Sequence, residues 1–132
     1  MNGIAQVAAL LSGIVYVAVS PLEMFFYDRP AVRRWLHVDT TDVADVRMWA
    51  FVVGVRNLLG GAGALIGLLI LHSGNEPAGH AVVLTACWYM LLASLAMGLA
   101  DLLGYWRPRG GSVLGTIGSS VLPLVAIIAA SV

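Results

Sequence analysis

The sequence predicts an all-α integral membrane protein, an antiparallel four-helix bundle with both termini on the outer side of the membrane. Hydrophobic residues make up 60% of the 132-residue chain, whereas charged residues make up only 11%. Soluble domains typically carry roughly 25% charged residues, so this class is disfavoured. The charges are also clustered, because eight of the fourteen lie between Asp28 and Arg47. The apolar stretches on either side have the length of membrane spans.

Four segments contain the roughly 20 mostly apolar residues that a spanning helix needs. They cover approximately residues 3–27, 46–72, 80–105 and 112–131. These spans use most of the chain, so we expect residues 1–132 to form a single domain. The polar loop 28–45 joins the first two spans, and its segment Pro30–His37 is predicted to form a short helix at the membrane interface.

The arginines predict the orientation. They concentrate in the loops after the first and third spans, whereas the termini and the loop after the second span carry none. The positive-inside rule then places the two arginine-bearing loops in the cytoplasm of a bacterial inner membrane. Lipid headgroups are the expected partners of Arg33, Arg34, Arg107 and Arg109.

A signal peptide is the alternative for the first span, since Ala18-Val19-Ser20 resembles a cleavage site. The segment before it has no basic residue, and the apolar run resumes at Met24. Both observations favour a retained span.

Three ionisable residues lie inside the predicted spans, namely Glu23, Arg56 and Asp101. At 1.5 Å per residue, Arg56 lies roughly 13–15 Å from the cytoplasmic end of its span, and the two acids about 6–8 Å from theirs. The guanidinium leans toward the helix N-terminus, which brings it toward the level of both carboxylates. Because an unpaired arginine at this depth costs from about 2.5 to more than 10 kcal/mol, we predict a buried Glu23–Arg56–Asp101 cluster. Asn57 is expected to bridge to another helix beside it.

Small residues are spaced for close helix packing. The predicted packing positions are Gly60, Gly63 and Gly67 on the second span, Ser94 and Gly98 on the third, and Gly115 and Gly118 on the fourth. We expect packing within the chain to be their main use, and contact between copies to be the alternative.

No cofactor or metal is predicted. His72, Glu76 and His80 have a regular four-residue spacing, but Gly74, Pro77 and Gly79 argue against a continuous helix that would bring them together. Phosphate loops, nucleophile elbows and zinc motifs are absent from the sequence. The chain has no lysine and a net charge of zero, so nucleic acid is not an expected partner.

A four-residue motif at the end of the first span carries a family resemblance. The run Leu-Glu-Met-Phe, with Glu23 at its second position, resembles a family of short bacterial four-span membrane proteins of unassigned function, domain-of-unknown-function family thirteen-zero-four. The second span of that family typically carries Asn-Gln-Gly-x-Tyr-Asn, of which residues 52–57 keep Gly54 and Asn57. The resemblance implies a four-span membrane fold and no particular activity. Arg56 stands where the family has tyrosine, which suggests that an ionic group replaces a neutral one.

Three function classes fit these observations. We favour a non-enzymatic membrane component or partner subunit, which joins a homo-oligomer or a larger complex in the bilayer and whose charge cluster fixes helix register. The first alternative is a small proton-coupled transporter or channel, because two carboxylates and one guanidinium favour a shared proton. The second is an intramembrane enzyme or binding protein for a lipid-like molecule, which requires an apolar cavity beside the two acids.

Overall fold

The computed structural model describes residues 1–132 and contains five helices. Four helices are long and apolar enough to cross a membrane, and the fifth is a short helix between the first two. Their bounds are α1 Gly3–Phe25, α2 Pro30–Trp35, α3 Val43–His72, α4 Glu76–Leu102 and α5 Val113–Ala130. The chain is therefore a multi-pass membrane protein with an all-helical bundle, as the sequence predicts.

Two helices start earlier than predicted. α3 begins at Val43, so its first turn includes Asp45 of the polar loop. α4 begins at Glu76, because Pro77 lies in its first turn, where a missing backbone N–H costs nothing. The Asn75 side chain accepts a hydrogen bond from the amide of Ala78 and caps this start.

The long helices form a ring in the order α1, α3, α4, α5, and α5 closes the ring against α1. Neighbouring helices run antiparallel. Gly61 of α3 packs against Gly13 of α1, and Gly79 of α4 packs directly against the backbone of Leu71. We call the end that carries α2 and the α4–α5 loop the arginine end, and the other the far end.

The hydrophobic core lies mostly toward the far end. Its members include Ala8 and Ala9 of α1, Leu68 of α3, Val83 of α4 and Ile127 of α5. Small side chains let the backbones approach closely there. Glu23 and Asp101, by contrast, lie near the arginine ends of α1 and α4, and this division positions the candidate site.

Candidate functional site

Arg56 is exposed, so the predicted Glu23–Arg56–Asp101 cluster does not form. The hydrogen bond of Glu23 goes to Asn57, and those of Asp101 go to the backbone and side chain of the α4–α5 loop. The prediction of a buried Arg56 was wrong because depth along a helix does not determine the direction in which a side chain projects. Glu23 is half-buried, and only Asp101 of the three is buried.

The direction of Arg56 follows from the glycines of α3. A Cβ at Gly60 would lie 3.0 Å from the Tyr89 ring of α4, and one at Gly67 would lie 2.8 Å from Val83. At about 100° per residue, Arg56 lies about 40° from Gly60 and about 20° from Gly67 around the helix. Arg56 therefore projects from the α4-facing side of α3, about one turn closer to the arginine end than Gly60.

Beyond Gly60, toward the arginine end, side chains on the α4-facing side of α3 are exposed. Val53 and Trp49 each lie within about 20° of Gly60 around the helix, yet they are 43% and 62% exposed. On α4, Ala93 and Ala96 are also exposed, while Gly98 packs against Thr116 of α5. From this shared exposure we infer a shallow cleft between the two helices, with Trp49, Val53 and Arg56 on one side and Ala93 and Ala96 on the other, and we call it the α3–α4 cleft.

Glu23 and Asn57 join α1 to α3 inside the bundle. The Asn57 amide donates a hydrogen bond of 2.7 Å to the Glu23 carboxylate. Beside this pair the two backbones are close, because a Cβ at Gly54 would lie 2.9 Å from the carbonyl oxygen of Ser20. The pair thus acts as a polar link between two tightly packed helices.

Asp101 stabilises the turn between α4 and α5. Its carboxylate accepts hydrogen bonds from the backbone amides of Gly110 at 2.7 Å and Ser112 at 3.0 Å, and from the Ser112 hydroxyl at 2.8 Å. Ser112 directly precedes the first residue of α5, so this carboxylate supports the positive end of the α5 dipole. Its contacts are those of a structural cap.

Tyr16, which was not among the residues predicted from the sequence, joins three helices. Its hydroxyl donates toward the carbonyl of Met90 at 2.9 Å, lies 2.6 Å from the Ser94 hydroxyl, and is 3.3 Å from the carbonyl of Ser119. Tyr16 is buried. A tyrosine in the middle of a span, away from the membrane interfaces, needs a partner for its hydroxyl, and that signal was available in the sequence.

The small residues predicted for packing mostly contact a neighbouring helix of the same chain. Gly60, Gly63 and Gly67 face α4, and Gly98 and Gly115 lie at the α4–α5 contact. Ser94 is buried against Tyr16. A Cβ at Gly118 would meet nothing within 4 Å, so its predicted packing role has no partner within the chain.

The predicted lipid-headgroup arginines gather at the arginine end, but two of them bind backbone carbonyls. Arg33 donates to the carbonyls of Tyr27 at 3.0 Å and Asp28 at 2.7 Å, and Arg107 donates to those of Gly104 and Trp106. Arg34 and Arg109 are exposed. The loop that follows α2 also meets the α4–α5 loop here, because the Trp106 indole donates a hydrogen bond of 2.9 Å to the carbonyl of His37.

Two shallow cavities lie elsewhere on the bundle. One, of about 410 Å³, lies between the arginine-end halves of α1 and α3 and is lined by Met24, Phe25, Arg47 and Phe51 among others. The other, of about 480 Å³, is at the far end beside Met1, Glu76 and His80. Neither is lined by Glu23, Arg56 or Asp101, so neither is the acid-lined cavity that the lipid-enzyme alternative requires.

Comparison with known protein families gives a match over most of the chain. The model of the family described as "Protein of unknown function (DUF1304)" matches residues 10–131. No curated protein and no solved structure matches the chain.

Proposed function

Because the chain belongs to the DUF1304 family, which is described as being of unknown function, we propose its role from its own geometry. We propose that it is a non-enzymatic component of a membrane assembly, and that it holds another membrane molecule in the α3–α4 cleft through Arg56. The exposure of Arg56 within α3 carries this proposal.

The energetic argument is that Arg56 needs an anion that its own chain does not provide. Arg56 lies nine residues beyond Arg47, the preceding charged residue of α3, which is about 13 Å along the helix axis. A guanidinium at such a depth costs at least about 2.5 kcal/mol when it faces hydrocarbon. An anionic group in the cleft would remove much of this cost through charge-assisted hydrogen bonds to the planar fork.

The carboxylates support a structural role for the interior of the bundle. Glu23 links α1 to α3 through Asn57, whereas Asp101 caps the α4–α5 turn. The proton-transport alternative needs a shared site for a proton, and these two acids have separate partners. Their contacts therefore favour a component that assembles with others over one that moves protons.

The test compares assembly size in native membranes for the wild type, Arg56→Met and Arg34→Met. Arg34 is an exposed arginine outside the spans, so its variant controls for the loss of one positive charge. We expect the wild type and Arg34→Met to migrate in the same larger complex after mild solubilisation, and Arg56→Met to migrate as a smaller species with unchanged helicity. An unchanged size for Arg56→Met would refute the proposal.

We further propose that the protein belongs to the bacterial inner membrane and that its arginine end faces the cytoplasm. The arginines of α2 and of the α4–α5 loop gather at that one end, as the positive-inside rule requires of the cytoplasmic side. A reporter enzyme that is active only outside the cytoplasm, fused to the C-terminus, should be active. Activity of the same reporter only when it is inserted in the loop 28–45 would reverse the orientation.

A further inference from the structure

We propose that the occupant of the α3–α4 cleft is a transmembrane helix of a different protein that carries one aspartate or glutamate at the depth of Arg56. This inference rests on the proposed function and names the class of partner. It follows from the charge that the cleft needs, from the acids that this chain has already engaged, and from the depth of the site.

A second copy of the chain has no suitable carboxylate. Its intramembrane acids are Glu23, which is bound to Asn57 between α1 and α3, and Asp101, which is buried and accepts three hydrogen bonds. Freeing either acid would break contacts that hold the copy's own helices together. A second copy would therefore neutralise Arg56 only by giving up these contacts, which favours an anion from another molecule.

The depth of Arg56 favours a helix over a lipid headgroup. Phosphates lie outside the hydrocarbon core, where the exposed Arg34 and Arg109 are already available to them. Arg56 lies about 13 Å beyond Arg47 along α3, so a phosphate would have to be drawn into hydrocarbon to reach it. A side-chain carboxylate of a transmembrane helix is carried to that depth by the helix itself.

The opposite wall of the cleft is compatible with an approaching helix. Ala93 and Ala96 are exposed on α4, and residues as small as alanine let a second backbone come close enough for side-chain pairing. The charge of Arg56 attracts an acidic side chain, and the small side chains of Ala93 and Ala96 leave space for the helix that carries it. On the other side, Trp49 and Val53 offer apolar contact beside the guanidinium.

The experiment uses the full chain in nanodiscs of zwitterionic lipid and a synthetic leucine–alanine transmembrane peptide. One peptide carries a glutamate at the depth of Arg56, about 13 Å into the membrane from the arginine end of the bundle, and its matched control carries glutamine at the same position. Binding is measured by energy transfer between labels on the chain and on the peptide. We expect the glutamate peptide to bind the wild type at least tenfold more tightly than the glutamine peptide, which corresponds to about 1.4 kcal/mol.

Variants of the chain locate the effect. Arg56→Met should bind both peptides equally, Arg56→Lys should retain a preference for glutamate, and Arg34→Met should behave as the wild type. Each variant is first checked for the wild-type circular dichroism spectrum. Because Arg56→Met removes a charge from an exposed position, we expect it to fold, and Arg56→Lys preserves the test if it does not.

Three results would overturn the inference. The first is equal binding of the two peptides by the wild type. The second is loss of the preference when anionic lipid is added, which would identify a headgroup as the occupant. The third is a wild-type homo-oligomer that Arg56→Met dissociates without any peptide, which would identify a second copy. In all three cases an Arg56-dependent assembly in native membranes would still support the proposed function, so the two failures are distinguishable.

Discussion

Replacing Asp101 by alanine should destabilise the bundle at its arginine end without involving any proton transport. The substitution removes three accepted hydrogen bonds, of 2.7, 3.0 and 2.8 Å, from two backbone amides and one hydroxyl. A hydrogen bond to a charged group contributes about 1.5–3 kcal/mol, but water reaches an interfacial loop and replaces part of this. We expect a loss of about 2–4 kcal/mol in the free energy of unfolding.

Asp101→Asn should cost about half as much, because one amide oxygen can still accept while the amide nitrogen opposes an N–H group. The measurement is unfolding in mixed micelles by a denaturing detergent, followed by circular dichroism. Asp45→Ala is the matched control, since Asp45 is an exposed acid in the first turn of α3 and its favourable effect on the helix dipole is about 0.3–1 kcal/mol. If Asp101→Ala and Asp45→Ala cost the same, the capping argument is wrong.

Three further predictions test the interior contacts. Gly79→Ala should lower the free energy of unfolding by about 1–3 kcal/mol, because its Cβ would overlap the backbone of α3. Gly63→Ala is the control and should be neutral or stabilising, because its Cβ would lie 3.5 Å from the nearest side chain. Equal stabilities of the two variants would contradict the packing. Tyr16→Phe should cost about 0.6–1.7 kcal/mol, since the hydroxyl joins three helices, and a variant as stable as the wild type in the same assay would refute this. Glu23→Gln should keep the wild-type stability, because an amide oxygen still accepts a hydrogen bond from Asn57. Asn57→Leu should lower the free energy of unfolding by about 1–3 kcal/mol, because it leaves the carboxylate without its donor. The opposite order of stabilities would exclude the link between Glu23 and Asn57.

The fold could be predicted because the membrane restricts the choice of structures. Within hydrocarbon, backbone groups must form hydrogen bonds within a helix or a closed barrel. The four long apolar segments lack the alternation of polar and apolar residues that barrel strands show, so helices are the remaining choice. The helix ends follow less directly from the sequence. The start of α4 shows why, since Pro77 is a helix breaker in the interior of a helix but is well tolerated in the first turn, where the side chain of Asn75 can cap.

The partners of the polar side chains were harder to predict. Depth depends only on position along the chain, so Glu23 and Asp101 were correctly expected toward one end. Their partners depend on how each helix is rotated, and hydrogen bonds formed close to each acid take precedence over a distant guanidinium. Asp101 is satisfied by the loop that immediately follows its own helix, and a short chain distance of this kind favours local capping.

The glycines of α3 contain the rotational information that would have separated Arg56 from Asn57. Gly54 and Gly61 face α1, whereas Gly60 and Gly67 face α4, so α3 has two packing faces. At about 100° per residue, Asn57 lies about 60° or less from the first pair and Arg56 about 40° or less from the second. Asn57 therefore projects toward α1 and meets an acid, while Arg56 projects from the α4-facing side at the level of the exposed Ala93 and Ala96. An arginine on a packing face that its own chain leaves exposed is the observation from which we propose a partner helix.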